Sequence, residues 1–308
     1  TASAGILHTD LDFDEYFAYE SIYTATGGNW YGWNDGTGTQ STDSRRGTNN
    51  DLTFARREEI SLGIKGALFN NSVAFGANVF RNKMTGIIGQ INVLYPNYFT
   101  TNFPNSSFVP FSNYNSDQRT GLDFYLNYNK RIGEVDWTIG ASATYYDAKA
   151  DKRADVLTYE NEYEYRAGRP LDAIWGLKSD GFFANAAEVA NADGINGPKP
   201  AFGAGLAPGD IRYIDQNGDN IIDVKDEVYL GRGGWFGAPF TAGVNISAKY
   251  KNFTLFVLGV GRFGGSAIKN NNYFWVNGSD KYSDVVRDRW TPATQATATF
   301  PRLTTLNG

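Results

Sequence analysis

Three stretches of the chain alternate apolar and polar residues with period two. Between Thr120 and Ile132, Leu122, Phe124, Leu126 and Tyr128 alternate with Gly121, Asp123, Tyr125, Asn127 and Asn129. Gly133-Glu134 interrupts the run. Val135, Trp137, Ile139, Ala141, Ala143 and Tyr145 then alternate with Asp136, Thr138, Gly140, Ser142, Thr144 and Tyr146. Successive strand side chains point to opposite faces, so this pattern predicts a hairpin with one apolar and one wet face. Glu59–Phe69 and Ser72–Lys83 repeat it around Asn70-Asn71, with Ile60, Leu62, Ile64 and Leu68 facing the same way as Val73, Phe75, Ala77 and Val79. Phe240–Tyr250 and Phe253–Arg262 repeat it around Lys251-Asn252. Short helical stretches are expected only near Ala184–Ala192 and Ser283–Arg289.

These runs exceed the usual globular strand of about 5–6 residues and match the roughly 9–11 needed to cross a bilayer obliquely. The turns within the hairpins are tight, whereas Thr85–Gln118 and Lys149–Pro239 are long connections. Every tight turn therefore falls on one side and every long connection on the other, as in outer-membrane barrels with short periplasmic turns and long extracellular loops. Aromatic residues near the strand ends (Tyr128, Trp137, Tyr145, Tyr250 and Phe253) add an interfacial signal. The expectation is an all-β fold, an antiparallel transmembrane β-barrel segment with long extracellular loops. A soluble β-sandwich or meander is the alternative. Further strands are expected in Phe13–Tyr23 and within Leu157–Phe183, and residues 304–308 carry no strand pattern.

Composition narrows the chemistry. The 308 residues include no Cys, one His (His8) and one Met (Met84), which excludes thiol chemistry, disulfides and His-cluster metal sites. A formal charge of -5 argues against a nucleic-acid partner bound through its phosphates. Mean hydropathy is -0.42, and no apolar run is long enough for a membrane helix. Alternating barrel strands are compatible with that value. The 35 Gly and 15% aromatic residues suit strands and turns.

The most specific motif is Asp215-Gln216-Asn217-Gly218-Asp219-Asn220-Ile221-Ile222-Asp223-Val224-Lys225-Asp226. Asp215, Asn217, Asp219, Asp223 and Asp226 stand at relative positions 1, 3, 5, 9 and 12, with the Ile221 carbonyl at position 7, which is the spacing of an EF-hand calcium loop. Calcium in a structural role is the expectation. Two departures stand out: Asn220 replaces Gly at position 6, and Asp226 replaces the longer Glu at position 12. The alternative is an Asx-rich turn with solvated carboxylates.

Rings interleaved with amides at Tyr95–Phe99, Phe103–Phe111, Trp175, Trp235-Phe236 and Tyr273–Trp275 suit sugar or peptide contact, and equally loop cores and interfacial girdles. Substrate contacts are not assigned to individual residues. The acidic groups Asp12, Asp14 and Glu15, and Glu160, Glu162 and Glu164, read as solvated loop charges, and no catalytic residue is assigned. The chain is not expected to be an enzyme.

Several blocks resemble the SusC/RagA group of TonB-dependent transporters of Bacteroidetes outer membranes. They are Arg57–Gly63 with Ala67–Asn71 and Asn78–Lys83, then Arg119–Asp123, Arg166–Pro170 through Ile174-Trp175-Gly176, and Asp180–Phe183. Pro208–Tyr213, the Asp215–Asp226 loop, Gly231, and Arg289–Pro292 with Phe300–Leu303 complete the series. The resemblance covers roughly residues 55–308. It implies part of a roughly 22-stranded barrel around a plugged lumen, in the cell outer membrane with its long loops extracellular. It further implies a SusD-like lipoprotein lid, TonB acting through the plug region, and import of a nutrient, an oligosaccharide or a peptide. Residues 1–308 then read as a C-terminal portion of that barrel, without the plug domain or the final strands. The competing functions are a soluble, calcium-stabilised carbohydrate-binding or glycan-degrading β-domain and a structural or adhesive outer-membrane barrel.

Overall fold

The computed structural model describes residues 1–9, 15–24, 30–32, 35–40, 43–99, 108–192, 199–201, 205–234, 238–271, 273–276 and 282–304. Seven antiparallel strands form one sheet: β1 (Ala2–Thr9), β2 (Ala55–Leu68), β3 (Val73–Gln90), β4 (Phe111–Ile132), β5 (Val135–Lys152), β6 (Phe240–Tyr250) and β7 (Phe253–Phe263). They lie side by side in chain order. The three hairpins form where the alternation places them. Their turns need left-handed backbone, found at Phe69, Asn70 and Asn71 (φ 53°, 52° and 66°), Gly133 (63°) and Lys251 (52°). Asn and Gly adopt it readily, while Phe69 and Lys251 are held there by the pairing on both sides.

The register joins the predicted faces into continuous rows. Ala2, Leu62, Val79, Leu122, Tyr145, Phe240 and Phe263 are neighbours across all seven strands. Ile60, Leu62, Ile64, Val79, Leu122, Phe124, Leu126, Ile139 and Val244 share that face, and all are exposed. The other face carries Asn78 beside Asp123 and Thr144, and Asn127 and Asn245 on either side of Gly140. A Cβ at Gly140 would overlap Asn245 Oδ1 and stand 2.7 Å from Asn127 Oδ1, so the two amides close over a residue without a side chain.

Strands are longer than the periodicity indicated. β3 reaches Gln90, β4 begins at Phe111 and β5 runs to Lys152, which shortens the expected connections Thr85–Gln118 and Lys149–Pro239. Polar residues such as Ser112, Asn113 and Asn115 break the alternation there, but ladder pairing continues through register shifts near Thr85–Ile88. β1 was not anticipated, since Thr1–Asn50 carries no block of the resemblance. Among the described residues of Phe13–Tyr23 only Ile22 and Tyr23 are in a strand. Leu157–Phe183 does supply two, Ala173–Leu177 and Ser179–Phe182, both outside the main sheet. β7 departs from alternation: Phe256, Leu258 and Val260 pair with Ser247, Asn245 and Gly243 on the polar face, and all three are exposed.

Apart from Gly76 and Gly140, the buried residues of the sheet gather at the long-connection end: Thr9, Ala55, Asn82, Ser116, Asp117, Ala148 and Ala150. Near the N-terminus Arg46 is fully enclosed. It pairs with Glu15, donates to the Phe17 and Glu20 carbonyls at 3.0 Å each, and sits 5.0 Å over the Phe111 ring. All three guanidinium nitrogens are thereby partnered, as burial of an arginine requires.

The chain divides into two compact units, with the sheet in the first. The second comprises Asn161–Glu164, Ala173–Gly233 and Ser266–Gly308. Ala173–Leu177 pairs with Glu227–Arg232, and Ser179–Phe182 with Ile211–Tyr213. The only α-helix among the described residues, Ala186–Asn191, is capped by Asn185, which accepts from Glu188 N at 3.0 Å. A 3-10 turn covers Asp284–Asp288. The core of this unit is Phe183, Ala192, Ile222, Val286 and Trp290.

Candidate functional site

The second unit holds the acidic loop and most of the blocks that carry the resemblance. Three blocks distant in sequence meet there. Arg302 grips Asp210 with two bonds, Nε to Oδ1 at 2.6 Å and Nη2 to Oδ2 at 3.1 Å. Ala207 N donates to the same carboxylate at 2.8 Å, and Arg302 N donates to the Gly209 carbonyl at 2.9 Å. Gly209 has φ 90°, and a Cβ there would stand 2.7 Å from Trp290 Cδ2 and 2.9 Å from Arg302 Cβ. Only Gly fits such backbone packed against an indole. Arg212 joins the next block, donating to Asp180 Oδ1 at 2.7 Å and Glu188 Oε2 at 3.3 Å. The bond to Asp180 raises its already high pKa further. These pairings align the strand Ile211–Tyr213, which leads into the loop.

The loop folds on its own carboxylates. Asp215 accepts from Gly218 N at 2.7 Å through Oδ1 and from Asn220 N at 2.9 Å through Oδ2. Asn217 Oδ1 accepts from Asp219 N at 3.0 Å, and Asp219 Oδ1 accepts from Ile221 N at 2.8 Å. Asn220 adopts φ 64°, the left-handed backbone that the usual Gly at position 6 would take. Asp223 accepts from Lys225 N at 2.8 Å and caps the 3-10 turn Val224–Asp226. Asp226 is fully buried, with Oδ1 accepting from Gln216 N at 2.7 Å and Oδ2 from Asp223 N at 2.9 Å. One carboxylate thus ties the two ends of the loop together. Ile221 side chain is exposed, and Ile222 beside it is buried.

The structure therefore brings Asp215, Asn217 and Asp219 into one chain of turns and sets Asp226 behind them as a clamp. Among the described residues no group of three or more His, Cys, Asp or Glu side chains is placed to hold a metal ion. Sequence reasoning missed Tyr163, whose hydroxyl donates to the Lys225 carbonyl at 2.9 Å. Burial, then the charges of Glu164, Asp226, Asp215 and Asp219, raises the Tyr163 phenol pKa above 10.0. No spacing rule links positions so far apart in the chain.

Of the aromatic stretches, Tyr95 and Tyr98 lie 5.6 and 5.3 Å from the Phe99 ring, and Tyr273 meets Phe274 edge-on at 5.1 Å. Trp175 contacts Tyr229 across its strand pair, and Trp275 is exposed, its indole donating to Asn270 Oδ1 at 2.9 Å. Residues 103–107, Trp235-Phe236, Asp12 and Asp14 lie outside the described residues.

No family model matches the chain. In sequence it is similar to TonB-dependent receptor P26 of Formosa agariphila, 24% identical over 276 residues, which is 83% of this chain and 25% of that protein. In structure it is similar to the RagAB peptide transporter, with a TM-score of 0.63 and 14% identity over 100% of this chain and 31% of that one. Against the RagAB peptide importer in the closed-closed state the TM-score is 0.58, with 16% identity over 98% of this chain and 31% of that one. The chain thus spans about a quarter to a third of the length of these relatives. The fold is that of a segment of a TonB-dependent transporter barrel. Both comparisons bear out the resemblance that the sequence blocks carried, and the relatives are receptors and transporters, not enzymes.

Proposed function

We propose that this chain is part of the wall of an outer-membrane, TonB-dependent importer of a nutrient, a peptide or an oligosaccharide. The observation that carries this reading is the exposed apolar face of the sheet. Val135 to Tyr145 spans ten residue steps, which at about 3.4 Å each and a tilt of about 40° give roughly 26 Å, close to the apolar band of about 25 Å on membrane barrels. Aromatic residues mark both margins: Tyr145, Phe240 and Phe263 at one, and Trp137, Tyr250 and Phe253 at the other. A soluble sandwich would bury those rows. Strand edges standing in a bilayer need hydrogen-bond partners, so β1 and β7 would pair with further strands in a closed barrel.

In this reading the tight turns face the periplasm and the long connections face outward. A SusD-like lipoprotein covers the outer mouth, as the two-part RagAB system suggests, and TonB acts through a plug region. The polar face with Asn78, Asp123, Asn127 and Asn245 lines the lumen, and the chain performs no covalent chemistry.

For the Asp215–Asp226 loop we propose a structural role, with calcium as its cofactor. The oxygen spacing and the left-handed Asn220 support calcium. Asp226 is buried with both oxygens on backbone N–H groups, so the cation reading rests on the lone pairs that Asp215, Asn217, Asp219 and Asp223 keep beside their own N–H bonds, together with the Ile221 carbonyl. Calcium at 100 times its Kd would stabilise this unit by about 2.7 kcal/mol. Identical melting in calcium and in excess chelator would leave the self-capped turn as the whole account.

The import reading is tested in cells by uptake of labelled oligopeptides and oligosaccharides, with and without the gene. Loss of uptake of one class on deletion, and its arrest by a protonophore, is expected. Unchanged uptake of both classes, with the chain recovered in the soluble fraction, would overturn it.

A further inference from the structure

The face with the apolar rows changes character abruptly at the long-connection end. Leu62, Val79, Leu122 and Tyr145 form its last apolar row. The next row is Ile60, Arg81, Thr120 and Asp147, and the one after it Glu58, Lys83, Gln118 and Lys149. Each row adds two residues, about 5 Å of height at a tilt of about 40°. Arg81 therefore stands about 5 Å beyond the apolar margin, within a polar headgroup layer that extends roughly 5–8 Å from the hydrocarbon, and Lys83 and Lys149 stand at about 10 Å, just outside that layer and within a side chain's length of it. On the opposite margin Lys130 is the only cation among the strand residues of this face.

Arg81 is exposed and donates to Gln118 Oε1 at 3.0 Å, a neutral partner that orients the guanidinium without neutralising it. Lys83 holds Asp151 at 2.8 Å, and Ser116 Oγ donates to the same carboxylate oxygen at 3.0 Å. Glu58 is taken up by Arg56 at 2.8 Å. The carboxylates facing the cluster are thus Asp147 and Asp151, and the cations are Arg81, Lys83 and Lys149.

We propose that Arg81, Lys83 and Lys149 form a binding site for the phosphate of an anionic membrane lipid. The proposal rests on the membrane-barrel reading. Acyl chains covering Leu62, Val79 and Leu122 would deliver a headgroup phosphate to the height of Arg81. A phosphodiester accepts from a guanidinium and ammonium groups together, which suits this mixed set. A free phosphate would gain nothing from the apolar rows below, and that favours the lipid as the source.

The test is native mass spectrometry of the protein in neutral detergent with equimolar phosphatidylglycerol and phosphatidylcholine. A cation near an anionic headgroup favours binding by about fivefold, so retention of phosphatidylglycerol at least about fivefold over phosphatidylcholine is expected. Arg81→Gln/Lys83→Gln/Lys149→Gln should bring the ratio close to one, and Lys130→Gln at the other margin should leave it unchanged. Arg81→Gln alone gives an intermediate ratio and serves if the triple variant does not fold. A ratio near one in the unsubstituted protein, or one the triple variant leaves unchanged, would overturn the site. If inorganic phosphate displaces the lipid as effectively as phosphatidylglycerol does, the lipid assignment fails. Insertion into pure phosphatidylcholine vesicles, read by protease protection, tests the barrel separately, because it does not depend on these cations.

Discussion

The sheet and the unit that carries the acidic loop are built to opposite rules. In the sheet the buried strand residues are small or polar, Ala55, Asn82, Ser116, Asp117, Ala148 and Ala150, while Leu62, Ile64, Phe124, Ile139 and Val244 are exposed. In the loop-bearing unit Phe183, Ile222, Val286 and Trp290 are buried, and charged loop residues such as Asp219 and Asp223 lie toward the surface. On the proposed membrane-barrel reading, the contrast follows from the solvent that each region is folded against. Lipid accepts apolar side chains, so the sheet needs no interior of large residues and is held by ladder pairing. Water rejects them, so the second unit needs a core and must answer each enclosed polar group individually.

Substitutions can break this comparison. The largest effect is expected at Ile222, which is 1% exposed: Ile222→Ala should cost about 2–5 kcal/mol. Leu62→Ala, at a residue 59% exposed, should cost well under that in a bilayer, because lipid refills the space. Chemical unfolding of both variants in vesicles checks the pair, and equal losses would mean that the sheet face is packed against protein. Next comes Ile139→Arg, near the middle of the apolar band, expected to lose about 2–4 kcal/mol of folding stability in vesicles. A neutral result would show that this face does not meet lipid.

In the second unit Gly209→Ala combines a positive φ with overlap on Trp290, and about 1–3 kcal/mol is expected from the backbone alone. Hydrogen exchange should show faster opening around Asp210 and Arg302, with the sheet unaffected.

The smallest effect is at alkaline pH. The Tyr163 phenol has a raised pKa in the folded state, so its contribution is intact below 10.0 and is lost as pH rises through the raised value. Tyr163→Phe should lose about 1 kcal/mol at neutral pH with the bond to the Lys225 carbonyl. It should also show a shallower alkaline decline in thermal melts of this unit.

Much of the sheet was legible because a strand repeats every two residues, so Leu122–Tyr128 and Val135–Tyr145 declare their faces without neighbours. The polar upper parts of β3, β4 and β5 were not legible, because there the pairing partner and not the local pattern keeps the chain extended. β1 escaped for the same reason. β7, apolar on both faces, shows only one of them to a period-two reading. At the acidic loop the donor spacing was visible, and so was Asn220 in the place of the usual Gly. The use of both Asp226 oxygens as a clamp was not, nor was the approach of Tyr163 from outside the motif.

The sequence by itself determined the hairpins, the sidedness of their turns, the apolar face and the family resemblance of the blocks. All of these are set by neighbours along the chain or by short fixed spacings. Only the tertiary structure decided that Asp210 meets Arg302, that Asp180 meets Arg212, and that Arg81, Lys83 and Lys149 share one margin of one face. Those pairings depend on strand register and on the return of distant segments, which no local periodicity encodes.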